Sequence, residues 1–131
     1  MKKINEHIPD AELDIMRLLW QFDRPARVSD IYWGLRDIRP CSKPAIHTLL
    51  ERLAKRGFVH LETVEGSIPY KLITPLVEEA DYRASQSETF LEKLCRGKWQ
   101  TLVATLVDTG KISDKDLDEI SELLKAKPND K

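Results

Sequence analysis

The chain has 131 residues and a formal net charge of −1, with 33% charged and 41% hydrophobic residues. This length fits one domain, or a small domain with an appendage, and the periodic apolar residues predict a folded chain. No apolar run approaches the roughly 20 residues that cross a bilayer, and the first residues lack the apolar centre of a signal peptide. We therefore expect a cytoplasmic protein without membrane insertion.

Sequence motifs for catalysis, metal binding and disulfide formation are absent. The chain contains no phosphate-binding Gly-rich loop, dinucleotide fingerprint, zinc-protease motif or nucleophile elbow. Cys41 and Cys95 stand far apart, and the three histidines have no metal-like spacing. We therefore expect no enzymatic activity, no metal and no cofactor.

The first part of the chain predicts two helices. Residues 10–22 begin with acidic side chains, which suit the positive end of a helix dipole, and carry a broad apolar face. Residues 26–28 predict a short strand, and Ser29 is predicted to cap a second helix over 30–38. The apolar residues expected on one side of that helix are Ile31, Leu35 and Ile38.

A third helix is predicted over residues 42–56. Ser42 is expected to cap its start, Pro44 fits its first turn, and Gly57 is expected to end it in the left-handed conformation. The apolar residues that recur at helical spacing are Ile46, Leu49, Leu50 and Leu53. Residues 42–60 carry a local net charge of +3. Such a basic patch favours DNA reading, and a merely solvated basic face is the alternative.

Residues 58–64 and 70–74 are β-like runs that predict a hairpin with Gly66 in the turn. Three helices followed by a hairpin have the order of a winged helix, in which 30–38 and 42–56 form the helix-turn-helix unit. The predicted fold class is therefore mostly α with a small β wing. It comprises an N-terminal winged helix-turn-helix followed by a C-terminal helical region.

The C-terminal region predicts three further helices, over 77–96, over 98–108 and after a capping box that begins at Ser113. Residues 126–131 are expected to be a frayed tail. A region of this size struggles to bury its apolar stripes alone, which favours pairing with a second copy over folding back on the N-terminal domain. The residues expected at the dimer interface are Phe90, Leu94, Trp99, Leu102, Val103, Leu106, Leu117, Ile120 and Leu124.

Several segments match, in order, the pattern of one protein family. They are Ala11-Glu12 with Met16 and Trp20, Ser42-Lys43-Pro44 with Thr48-Leu49, Arg52-Leu53, Lys55 and Gly57-Phe58, and Thr74 to Glu79. The chain therefore resembles the penicillinase (β-lactamase) repressor family. The resemblance implies a homodimeric transcriptional repressor with a winged-helix DNA-binding domain over 1–75 and a helical dimerisation region over 76–131. Each monomer would read one half of an inverted-repeat operator in double-stranded DNA.

The residues expected to face DNA are Ser42, Lys43, Ala45, His47, Thr48, Arg52 and Lys55. Of these, Lys43, Thr48 and Arg52 match the DNA-facing positions of the family. Thr48 is expected to read a base edge or bind a phosphate, whereas Lys43 and Arg52 are expected to bind phosphates. His47 stands where relatives have Arg or Lys, and its protonation would favour phosphate. The wing holds Glu62 and Glu65 where relatives tend to be basic, so we expect it to contribute little to phosphate binding.

In the antibiotic-responsive members of the family, a membrane-bound sensor protease signals β-lactam exposure and the repressor is cut in its dimerisation region. The cleaved bond aligns with Thr105-Leu106, where the Asn-Phe pair of those members is absent. The expected function is repression of β-lactam-resistance-type genes, relieved when the dimerisation region is disrupted. The alternatives are a winged-helix regulator of another stress or ligand signal, and a winged-helix protein-interaction module.

Overall fold

The computed structural model describes residues 6–127. Within them, six helices and one hairpin follow each other along the chain. The elements are α1 (Asp10–Phe22), α2 (Val28–Gly34), α3 (Lys43–Lys55), β1 (Val59–Val64), β2 (Tyr70–Pro75), α4 (Glu79–Cys95), α5 (Trp99–Asp108) and α6 (Asp114–Ala126). This order confirms the predicted fold class. Ala126 still belongs to α6, and residues 128–131 of the predicted tail lie outside the described residues.

The chain divides into two compact units, Met1–Gln86 and Ser87–Lys131. The first unit holds α1 to β2 and the first half of α4, and the second holds the rest of α4 with α5 and α6. The division into a DNA-binding domain over 1–75 and a dimerisation region over 76–131 stays a prediction about function. No helix of the described residues has both the length and the apolar character needed to span a membrane.

The first unit is built around one apolar core that α1, α2, α3 and the hairpin share. Its largest fully buried side chains are Ile8, Ile15, Met16, Leu19, Ile31, Leu35, Ile46, Leu50, Leu53, Val59 and Ile73. Three of the four apolar residues predicted on α3 are thus buried, and the fourth, Leu49, is half-buried. The prediction for Ile38 is wrong, because α2 ends at Gly34 and the following turns leave Ile38 58% exposed.

The start of α2 differs from the predicted one. The carboxylate of Asp30 accepts a hydrogen bond from the backbone N–H of Arg27 at 2.9 Å, so the helix begins at Val28. Ser29 therefore lies inside the first turn and does not cap the helix. The strand predicted over 26–28 is reduced to a single bridge, in which Ala26 exchanges two backbone hydrogen bonds with Ile73 at 3.0 and 2.8 Å.

Both predicted ends of α3 are confirmed. The hydroxyl of Ser42 accepts a hydrogen bond from the backbone N–H of Ala45 at 3.3 Å. Gly57 follows the helix with a φ of 84°, the left-handed conformation that glycine adopts at low cost. These local signals position α3 within one residue of its predicted bounds.

The predicted hairpin is also confirmed, with an antiparallel register from Val59 opposite Pro75 to Val64 opposite Tyr70. Residues 65–69 connect the strands, a longer loop than a two-residue turn. Gly66 lies in this loop but does not have a positive φ, so the turn does not depend on its conformational freedom. The predicted place of Gly66 in the turn is confirmed, although its φ is not positive.

Two carboxylates of α1 are buried in the first unit and hold both flanks of α3. Glu12 is 2% exposed and accepts a hydrogen bond from the guanidinium of Arg56, just after α3. Asp14 is 8% exposed and accepts a hydrogen bond at 2.8 Å from Nε of Arg39, which precedes α3. A buried carboxylate is costly without such a partner. These ion pairs therefore fix α3 against α1.

The second unit has far fewer buried residues than the first unit. Its capping box is formed as predicted, since the hydroxyl of Ser113 accepts from the N–H of Asp116 at 3.2 Å and the carboxylate of Asp116 accepts from the N–H of Ser113 at 2.9 Å. Neither α5 nor α6 contains a buried residue. The exposed fractions are large for several apolar side chains: Leu94 68%, Trp99 61%, Leu123 70% and Leu124 69%.

The buried ion pair gives a first prediction. Arg56→Ala leaves the carboxylate of Glu12 buried without its cation, which should lower the free energy of unfolding by about 3 kcal/mol. Arg83→Ala is the matched control, because Arg83 forms an exposed pair with Glu79 at 3.4 Å whose loss should cost under about 1 kcal/mol. Urea unfolding followed by circular dichroism measures both. Equal midpoints for the two variants would contradict the proposed role of Glu12.

The cap of α2 gives a second prediction. The hydrogen bond from the Arg27 backbone, and then that from the Arg24 side chain, lower the pKa of Asp30 below 3.8. A lowered pKa stabilises the fold above the unfolded-state pKa, and this stabilisation is lost as pH falls through the folded-state pKa. Asp30→Ala should therefore cost roughly 1 kcal/mol at neutral pH and much less in acid. Urea unfolding of both proteins at about pH 7 and about pH 2.5 checks this. A cost that did not change with pH would contradict it.

Candidate nucleic-acid interface

The third helix presents a solvent-facing stripe opposite its buried side. Pro44, Thr48, Glu51 and Lys55 are all exposed and recur at intervals of four, three and four residues, which places them on one side of the helix. This outer stripe lies opposite the buried side chains of α3. An α-helix with an exposed face can enter the major groove of DNA, where base edges are distinguishable.

The first residues of α3 combine a cap with a cation. The oxygen of Ser42 serves the helix cap, and Ala45 is half-buried, so it offers only part of its methyl group. Lys43 is exposed, with its ammonium nitrogen 5.5 Å from the centre of the Tyr32 ring. Among the described residues Lys43 forms no salt bridge, so its charge is available to a phosphate.

The middle and end of α3 carry the other predicted contacts. The hydroxyl of Thr48 donates to the carbonyl of Pro44 at 3.2 Å, which leaves its oxygen as an acceptor on the outer stripe. Arg52 and Lys55 are exposed and form no salt bridge with any described residue. Arg56, by contrast, is tied to Glu12. Arg56 therefore does not contribute to the basic patch that the sequence predicts over residues 42–60.

His47 is half-buried and does not share the outer stripe. It lines a groove of about 400 Å³, which we call the wing groove, between the start of α2, α3 and the wing. The residues that line the wing groove are Arg27, Val28, Ser29, His47, Thr63, Pro69, Tyr70 and Lys71. The guanidinium carbon of Arg27 lies 3.7 Å from the centre of the Tyr70 ring.

Of the residues that line the wing groove, His47 alone is among the predicted DNA-facing residues, and the others include Arg27, Tyr70 and Lys71. They are distant in sequence from α3, and no local motif marks them. They meet because the Ala26–Ile73 bridge joins the segment before α2 to β2. The acidic wing residues Glu62 and Glu65 are exposed.

The residues predicted at the dimer interface lie on all three helices of the C-terminal region. Phe90 and Leu94 lie on α4, and Leu117, Ile120 and Leu124 lie on α6; all five are exposed. On α5, Trp99 is exposed, and three residues are half-buried: Leu102, Val103 and Leu106.

The predicted cleavage bond lies inside α5. The hydroxyl of Thr105 donates to the carbonyl of Thr101 at 2.9 Å. The carbonyl of Leu106 accepts from the backbone N–H groups of Lys111 at 2.8 Å and Ile112 at 3.1 Å. This bond is therefore held in regular, hydrogen-bonded structure.

Comparison with known proteins supports a relationship along the whole chain. The family model of the penicillinase repressor matches residues 8–126. A penicillinase repressor from Bacillus licheniformis is 28% identical over 131 residues, covering 100% of this chain and 98% of the relative. The methicillin resistance regulatory protein MecI of Staphylococcus aureus is 28% identical over 120 residues, covering 92% of this chain and 94% of the relative.

A solved structure is also similar in sequence. The solution structure of the monomeric form of BlaI from Bacillus licheniformis, in complex with the blaP half-operator, shares 33% identity at a TM-score of 0.49. The match covers 63% of this chain and 94% of that one. Because the family model spans nearly all described residues, the chain belongs to the penicillinase repressor family.

Proposed function

We propose that this protein is a DNA-binding transcriptional repressor that acts as a homodimer on an inverted-repeat operator of β-lactam-resistance-type genes. The observation that carries the proposal is the exposed outer stripe of α3, on a helix whose exposed cations form no internal salt bridges among the described residues. Membership of a repressor family favours a regulatory role over an enzymatic one. Such a protein acts in the cytoplasm, where it reaches bacterial DNA.

Residues on and beside the outer stripe are suited to two kinds of DNA contact, with base edges and with phosphates. Thr48 offers its hydroxyl oxygen as an acceptor to a base edge, and Glu51 can accept from the amino group of a cytosine. Lys43, Arg52 and Lys55 flank these groups with charges that suit phosphates. Base contacts carry sequence preference, whereas phosphate contacts position the helix on any duplex.

A monomer with this charge is a weak DNA binder. Residues 1–75 carry 12 Lys or Arg against 10 Asp or Glu, a small excess for a surface that must neutralise phosphates. A dimer that holds two half-sites gains effective concentration for the second contact without any new interaction. We therefore propose that the dimer represses transcription and that repression ends when the dimer dissociates.

The second unit supports a dimer through its exposed apolar surface. Leu94, Trp99 and Leu124 are each more than half exposed. Large exposed apolar side chains are typical of interaction sites when they form a patch. A second copy is the occupant we propose, because a closed symmetric pair matches a two-fold symmetric operator.

We further propose that a membrane-bound sensor protease releases the repressor from DNA by cleaving it. The Thr105-Leu106 bond lies within α5, so a protease would need local unfolding of that helix before cleavage. Because α5 buries no residue in the single chain, such opening is less costly than opening a core helix. Separation of the two chains would expose α5 further.

The division between base and phosphate contacts gives a third prediction. Arg52→Ala should weaken binding to every duplex alike and reduce the slope of log affinity against log salt by about one. Thr48→Ala should weaken binding mainly to the preferred sequence. Fluorescence anisotropy across a salt series measures both, with a duplex that the protein selects from a random pool and a scrambled version. Equal losses on both duplexes for Thr48→Ala would contradict base reading by this residue.

The dimer surface gives a fourth prediction. Leu124→Asp places a charge in the proposed interface and should yield monomers, because a buried unpaired charge is costly. Leu124 is preferred to Leu102 or Leu106 because those two residues are half-buried within the single chain, where a charge would also disturb folding. Lys115→Asp is the control, because Lys115 is exposed on the opposite side of α6. Light scattering after gel filtration measures the mass. A Leu124→Asp dimer as stable as the control would refute this interface.

A further inference from the structure

We infer that a groove beside the start of α3 binds a small aromatic carboxylate and that the bound ligand weakens DNA binding. The groove has a volume of about 590 Å³, within the roughly 300–1,000 Å³ that small-molecule sites occupy. We call it the aromatic groove, and its lining residues are Tyr32, Trp33, Arg36, Pro40, Cys41 and Ser42. Ligand binding does not depend on the proposed function, whereas the effect on DNA rests on it.

Two aromatic side chains of α2 give the groove flat apolar walls. The rings of Tyr32 and Trp33 lie edge to face, with their centres 5.2 Å apart and an angle of 84° between their planes. Trp33 is 61% exposed, so most of its ring surface is in contact with water. A planar aromatic ligand in the groove removes this apolar surface from water and pairs with the rings in the geometries that aromatic groups prefer.

Two cations give the groove a preference for an anion. The guanidinium carbon of Arg36 lies 5.6 Å from the centre of the Trp33 ring. The ammonium nitrogen of Lys43 lies 5.5 Å from the centre of the Tyr32 ring. Within the described part of the chain, neither cation forms a salt bridge. Because a guanidinium binds a carboxylate through two parallel hydrogen bonds, a ligand that joins an aromatic ring to a carboxylate uses both features of the groove.

The connector between α2 and α3 forms one wall of the groove and is fixed at both ends. On one side, Nε of Arg39 donates a hydrogen bond to the buried carboxylate of Asp14 at 2.8 Å. On the other side, the hydroxyl of Ser42 accepts a hydrogen bond from the backbone N–H of Ala45 at 3.3 Å. Since both contacts form without a ligand, little ordering of this wall is needed on binding.

The position of Lys43 connects the aromatic groove to DNA binding. Lys43 is among the residues predicted to bind DNA phosphates, and its ammonium lies over the ring of Tyr32. An anion bound against Tyr32 competes with DNA for this cation and repels the phosphates. The coupling is reciprocal, so the ligand weakens DNA binding by the same factor by which DNA weakens ligand binding. The aromatic groove is thus an effector site on the DNA-binding unit.

The first test titrates naphthalene-1-carboxylate into the full-length protein without DNA and follows the backbone NMR signals. We expect shifts in the signals of α2 and of the connector to α3. Naphthalene-1-carboxamide has the same rings without the charge and should bind about tenfold more weakly, because it loses the charge-assisted hydrogen bonds to Arg36. Cyclohexanecarboxylate keeps the charge without the aromatic rings and should also bind about tenfold more weakly.

Variants test the location of the site. Arg36→Gln should weaken the binding of the carboxylate about tenfold and leave that of the carboxamide unchanged. Trp33→Ala should weaken the binding of both compounds. Arg83→Gln is the charge control, because Arg83 is an exposed cation of α4 that does not line the groove. Trp99→Ala is the aromatic control, because Trp99 is also 61% exposed. Both controls should bind naphthalene-1-carboxylate like the original protein, and circular dichroism first shows that the variants are folded.

Three results would overturn the aromatic groove as an anion site. They are an absence of shifts with naphthalene-1-carboxylate, shifts confined to the exposed apolar side chains of α5 and α6, and equal affinities for the carboxylate and the carboxamide. Each of them leaves the proposed function standing, because that function is measured with DNA alone.

Fluorescence anisotropy on a duplex that the protein selects measures the effect on DNA. At constant ionic strength, saturating naphthalene-1-carboxylate should lower the DNA affinity about fivefold, and Arg36→Gln should lessen this loss. Ligand binding in the groove with unchanged DNA affinity would overturn the effector role. Failure of the ligand-free protein to bind any duplex would overturn both that role and the proposed function. Weaker DNA binding by Trp33→Ala and Arg36→Gln, without any binding of naphthalene-1-carboxylate to the original protein, would assign the groove to DNA instead.

Discussion

The buried carboxylate of Glu12 is the constraint on which the DNA-binding unit depends. Water cannot solvate it in the core, so it requires Arg56, and Asp14 draws in Arg39 from the other flank of α3. With both flanks tied to α1, only one side of α3 is left to solvent. The same ion pair withdraws Arg56 from DNA, so the core decides which cations remain available outside.

Because the net charge of the chain is low, DNA affinity depends on several weak contacts acting together. The exposed cations on α3 are free to meet phosphate, and each adds a modest salt-dependent increment to DNA affinity. In the proposed dimer, the second copy supplies the additional affinity for an operator, and the exposed apolar residues of α5 and α6 are suited to hold it. Weak individual contacts make such a repressor easy to release, because loss of the dimer removes the gain at once.

Local signals predicted the bounds of α1 and, within one residue, those of α3. At α3 they succeeded because Ser42 and Gly57 act within one turn of the helix ends. Local reasoning failed at α2, where the charged Asp30 provides the cap in place of Ser29, and at Ile38, which the end of the helix leaves exposed. The wing groove was beyond prediction, since a backbone bridge between distant residues assembles it. The site residues on α3 came from periodicity and family resemblance, and their individual roles are still predictions.

The most direct test of the account is selection of DNA by the unmodified protein from a pool of random-sequence duplexes, followed by sequencing of what is bound. We predict enrichment of two-fold symmetric sites whose half-sites lie about one helical turn, or a multiple of it, apart. A duplex with only one half-site should bind far more weakly than the complete repeat. Recovery of the pool without enrichment, or of asymmetric sites bound by single chains, would contradict a dimeric operator-reading repressor.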